Sequence, residues 1–100
     1  MTLPLDQIYA SIGAIAAFAG ASGEEPDTFL ARHAPGYWGE ITDDDWETNQ
    51  CALEHGLLVM SAYTLRTGER VWIITEADRS TTTIRLPAVH RQFIHVYGRG

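Results

Sequence analysis

Arg70-Val71-Trp72-Ile73-Ile74-Thr75-Glu76-Ala77-Asp78-Arg79-Ser80-Thr81-Thr82-Thr83-Ile84-Arg85-Leu86 sets the fold class of this 100-residue chain. Its first part is a β-branched and aromatic run. Its last part alternates Thr82, Ile84 and Leu86 with Thr81, Thr83 and Arg85, the two-residue period of a strand. Between them, an acid, an acid–base pair and a serine form a polar turn, and Pro87 ends the second strand. Upstream, residues 57–65 read as another strand. Arg66-Thr67-Gly68-Glu69 joins it to the first as a hairpin loop, with a glycine free to take a positive φ.

The amino-terminal half reads as helices. Leu5, Ile8, Ile12, Ile15 and Phe18 recur at three- and four-residue steps, which predicts one amphipathic helix with Pro4 in its first turn. Its other face (Ala10, Gly13, Ala14, Ala16, Ala17) is small and uncharged, so the domain covers it or a second copy packs there. Glu24-Glu25-Pro26-Asp27 opens a short second helix ending near His33. Thr42 is the expected N-cap of a third helix. Asp43, Asp44 and Asp45 sit at the positive end of its dipole, and Gly56 serves as its left-handed terminator.

The tail stays open: Val89, Phe93 and Val96 or Tyr97 suit a helix, whereas residues 93–97 suit a fourth strand. The expected architecture is a single α+β domain over residues 1–100. Two or three helices pack on one face of an antiparallel meander of three strands, or four with the tail. The other face is solvated or covered by a partner.

Composition narrows the function classes. The net charge is −6, the pI is near 5.0, and all seven basic residues are arginines with no cluster among them. That argues against direct nucleic-acid binding, which needs a basic footprint. Cys51 is alone, so no internal disulfide forms. The uncharged stretch over residues 7–23 lacks the basic start of a secretory signal and is too short to span a bilayer. A cytoplasmic protein is expected.

Three constellations carry candidate chemistry. Arg79, with Glu76, Asp78 and the threonines at 81–83, could clamp a carboxylate or phosphate. The same residues make an ordinary turn if Asp78 accepts from backbone N–H groups and Arg79 pairs with Glu76 or with an acid of the 43–45 cluster. His33, Trp38 and Asn49 could serve acid–base chemistry, but without a placed nucleophile the structural reading is preferred: His33 caps the second helix and Asn49 holds the 37–39 loop. Asp43, Asp44 and Asp45 with Glu54 and His55 lack the alternation of a calcium loop and the ligand spacing of a zinc site, so helix capping explains them. No cofactor, metal or catalytic set is expected.

One resemblance joins these segments. His33, Trp38-Gly39, the acids at 43–45, Asn49, Ala52-Leu53, Gly56 and Ser61-Ala62-Tyr63 precede Trp72-Ile73-Ile74-Thr75-Glu76-Ala77-Asp78-Arg79-Ser80, Thr82-Thr83 and Leu86-Pro87. Over residues 29–87 the chain resembles a family of small bacterial proteins of unassigned function, often carried on plasmids, prophages and other mobile elements. The family's form has His-x-x-Gly-Asp-Trp-Gly and Trp-Ile-Ile-Thr-Glu-x-Asp-Arg-Ser-x-Thr-Thr elements; here Tyr37 replaces the first element's Asp. The resemblance implies a mobile-element setting and no reaction.

Charge and setting together lead to a small acidic protein-binding module, of anti-CRISPR or anti-restriction type, that covers a basic surface of a host complex. Its candidate contacts are Asp43, Asp44, Glu47, Glu76, Asp78 and Arg79, with Tyr37 and Trp38 as aromatic anchors. A structural or regulatory homodimer joined through the small-residue face at 13–17 is the alternative. A small enzyme using Asp78 and Arg79 is the third class.

Overall fold

The structure, a computed structural model, describes residues 2–20, 23–87 and 93–97. Its elements run β1 (Gln7–Ser11), α1 (Ile12–Ala19), α2 (Pro26–His33), α3 (Asp43–His55), β2 (Val59–Thr64), β3 (Arg70–Thr75), β4 (Thr81–Arg85) and β5 (Phe93–Tyr97). The fold is α+β, with a five-stranded sheet in the order β2-β3-β4-β1-β5.

The β2–β3–β4 meander follows the sequence pattern. Its register pairs Ser61 with Ile73, and Ile73 with Ile84. Val59, Ser61, Tyr63, Val71, Ile73, Thr75, Thr82 and Ile84 alternate inward, where α1 and α2 cover them with Ala14, Phe18, Phe29 and Leu30. A second, smaller cluster of Leu3, Trp38, Ala52 and Val59 lies against α3.

The expected first helix is the principal correction. Gln7–Ser11 is a strand, parallel to β4 and antiparallel to β5, and the helix starts only at Ile12. Two periods coincide in this stretch: Ile8 and Ala10 alternate inward as a strand, while Ile8, Ile12 and Ile15 also fit a helix. Pairing on both flanks decides for the strand, because it satisfies the backbone and leaves Ile8 fully buried. Ser11 is the switch point: its Oγ accepts the Ala14 N–H at 3.1 Å and caps α1. Of the small face, Ala14 is in the core and a Cβ on Gly13 would lie 3.0 Å from Leu86, whereas Ile12 and Ile15 point outward.

In the tail, residues 93–97 take the strand option. Val96 has no partner in β1, since Tyr9 pairs with His95 and Ile8 with Tyr97. The helix option began at Val89, which lies outside the described residues. Five strands thus replace the expected three or four, and the sheet is a meander extended by a parallel β1.

Candidate functional site

The buried chemistry lies between α2 and the inner face of the sheet. His33, at the end of α2, sends Nδ1 to Ser61 Oγ at 2.5 Å and Nε2 to Thr75 Oγ1 at 2.8 Å; Thr75 Oγ1 in turn meets Thr82 Oγ1 at 2.8 Å. All four side chains are fully buried. Each imidazole nitrogen therefore has a hydroxyl partner, and hydroxyls can donate or accept, so a neutral ring is satisfied in either tautomer. Burial lowers the His33 pKa from 6.5 to about 4. His33 is thus a cross-link between helix and sheet rather than a cap of α2. Its hydroxyl partners spend their hydrogen-bonding capacity inside the core, out of reach of a substrate.

Asn49 also departs from expectation. It leaves the 37–39 loop alone and grips β2: Nδ2 donates to Met60 O at 2.7 Å, and Met60 N–H donates to Oδ1 at 3.1 Å. One amide side chain thus imitates a neighbouring strand. The loop takes the next outward-facing residue itself, since Ala62 N–H donates to Trp38 O at 3.0 Å and Glu40 N–H to Ala62 O at 2.7 Å. Gly39 permits this approach. Its φ is +73°, and a Cβ there would stand 2.2 Å from Ala62 O. Tyr63 Oη donates to Tyr37 O at 2.5 Å and ties the loop down from below. Burial raises the Tyr63 pKa, while Ser61 and the Arg32 guanidinium, 4.7 Å from the ring centroid, act the other way.

The turn after β3 is built from its own polar groups. The Asp78 carboxylate accepts from Ser80 N–H at 3.0 Å and Ser80 Oγ–H at 2.7 Å, and these bonds hold its pKa below the ordinary value. Arg79 sits at φ +64°. Its guanidinium donates to Leu57 O, Glu76 O and Ala52 O at 2.6, 3.2 and 3.1 Å. Neither expected carboxylate is its partner. Arg79 closes the carboxyl end of α3 with positive charge at the negative pole of the helix dipole.

The proposed contact residues therefore divide. Asp43, Asp44 and Glu47 are exposed near the start of α3, with Thr42 Oγ1 capping Asp45 N–H at 3.0 Å. Glu76, Asp78 and Arg79 belong to the opposite end of that helix, about 20 Å away at 1.5 Å per residue. Tyr37 is exposed, but Trp38 is only 3 % exposed and is a core residue, not a surface anchor. The exposed aromatic beside it is Trp46, half accessible, with its ring 6.1 Å from that of Trp38. Between the start of α3 and the sheet, a cleft of about 350 Å³ is lined by Glu40, Asp45, Met60, Arg70 and Trp72.

Asp43, Asp44 and Glu47 have no basic side chain within ion-pair distance among the described residues, so their charge is uncompensated. Among the described residues, no group of three potential metal ligands converges, and no helix is long and apolar enough to cross a membrane. In comparisons with protein families, curated proteins and solved structures, nothing matched the chain.

Proposed function

We propose that the protein is a cytoplasmic binding module that occupies a basic surface of a partner protein with the amino-terminal end of α3. The supporting observation is the outward, unpaired charge of Asp43, Asp44 and Glu47 beside the half-exposed Trp46. A fixed helix start, an acidic rim and an aromatic plate are the parts such a contact uses. The mobile-element setting implied by the resemblance makes a nucleic-acid-handling host complex the partner class, and the inhibition one of coverage.

Affinity capture from host lysate tests this. Asp43→Asn, Asp44→Asn and Glu47→Gln together should abolish capture, and rising salt should weaken it steeply in the parent protein. Capture that ignores both salt and these substitutions would refute the proposal. A structural or regulatory homodimer is the second reading, favoured by Ile12 and Ile15, which are 47 % and 41 % exposed on α1.

A further inference from the structure

We infer that the cleft between the 35–38 loop and α3 binds an extended basic segment of the partner protein, with Trp38 Nε1–H donating to one of its main-chain carbonyls. The partner's charge rests on the acidic contact at the start of α3. The cleft has its own support in Trp38.

Among the described residues, Trp38 Nε1 is the buried side-chain polar atom without a hydrogen-bond partner, in a residue only 3 % exposed. Other buried polar side chains, such as His33, Asn49 and Thr82, find theirs. An indole N–H can only donate, and a buried donor left unpaired is costly, so this position favours an incoming acceptor. The edge of the ring that carries Nε1 faces the Pro35-Gly36 turn. A Cβ on Gly36 would lie 3.7 Å from Cζ2 and 3.9 Å from Cε2, the atom bonded to Nε1, and the glycine puts no side chain over that edge. Pro35, Gly36, Gln50, Leu53 and Glu54 join Trp38 in lining a cleft of about 400 Å³ there. The donor thus lies at the floor, between apolar walls of Pro35 and Leu53, with Gln50 and Glu54 exposed at the rim.

The rim selects the occupant. The ion-pair contact of Glu54 is its own neighbour His55, at 4.0 Å, so the carboxylate suits a cation beside the buried carbonyl. Asp43, Glu47, Gln50 and Glu54 follow one another at steps of four, three and four residues, one stripe along α3. Trp46 stands one turn before Gln50, its ring 6.1 Å from that of Trp38. From Asp43 to Glu54 the helix rises about 16 Å, the reach of about five extended residues. A basic segment laid along this stripe sets cations on the acids while one carbonyl enters the cleft. A simple amine would satisfy the acids but brings no acceptor for Trp38.

Indole ¹H–¹⁵N spectra of the full chain test this, with Trp46→Phe and Trp72→Phe identifying the Trp38 signal among the three tryptophans. The probe is an end-blocked penta-arginine peptide, and the control is spermine, a polyamine without a carbonyl. The peptide should move the Trp38 N–H proton downfield and saturably, whereas spermine should leave it in place. Glu54→Arg, at an exposed position where folding is not at stake, should weaken the peptide about tenfold. A Trp38 signal that stays still, or that moves equally with spermine, overturns the inference. A peptide shift confined to Trp46 and lost with Asp43→Asn, Asp44→Asn and Glu47→Gln also overturns it, while the acidic contact stands. Conversely, a Trp38 shift with the peptide, in a protein whose host capture ignores those substitutions, keeps the cleft and retires the acidic contact.

Discussion

The two edges of the sheet are built by opposite rules. At β2, each outward-facing backbone group of Met60 and Ala62 is taken: Asn49 supplies a side-chain amide, and the chain at Trp38 and Glu40 lies alongside as a short parallel bridge. At β5 the strand is apolar and accessible on both faces. Open edges invite pairing with other chains, and proteins usually block them. A molecule that spends an asparagine, a left-handed glycine and a buried tryptophan on blocking one edge treats its edges differently. The guarded edge spends its backbone groups on holding the loop and α3 to the sheet, whereas β5 leaves Phe93, Ile94 and Val96 accessible.

Breaking the guarded edge should have the largest effect. Gly39→Ala puts a methyl into Ala62 O at a positive φ and should cost about 4 kcal/mol, read by urea denaturation. Asn49→Ala strips both Met60 backbone groups of their partner and should cost about 3 kcal/mol. A loss below about 1 kcal/mol in either variant would mean that water replaces these contacts and the edge is not specifically closed.

The His33 cross-link sharpens the comparison through pH. Its folded pKa, about 4, lies below the ordinary 6.5, so between these values the unfolded chain binds the proton and the folded chain does not. Stability contributed by this group is full above pH 6.5 and should fall by about 1.4 kcal/mol per pH unit as the pH drops toward 4. Thermal melts across this window check it, and His33→Gln should flatten the slope while lowering stability overall. The smallest change to folding belongs to the open edge. Ile94→Lys, at a half-exposed position, should move stability by no more than about 0.5 kcal/mol.

Some of this was legible in the residues and some was not. Thr42 and Gly56 announced the ends of α3, and the structure places both as local chemistry dictates, with Gly56 at φ +64°. The meander from 59 to 85 was equally plain, because each strand alternates and each turn carries its own signal. Thr82 shares the face of Ile84 and Leu86 in the sequence alternation, but the reason for a hydroxyl there, and for its partner Thr75, was not visible. It requires His33, which is 42 residues from Thr75 in sequence. Trp38 and Trp46 could not be assigned to core and surface from their neighbours, since nothing local says which side of α3 meets the sheet.

The order of residues determined the local elements whose periodicity and caps agree: three strands, two helices with their stops, and the acidic start of α3. Tertiary structure decided the rest. It made Gln7–Ser11 a strand, seated His33 among hydroxyls, aimed Arg79 at carbonyls and left β5 outermost. The physical reason is that backbone hydrogen bonds and buried polar groups must find partners, and where the partner is distant in sequence, only the folded chain brings it within reach.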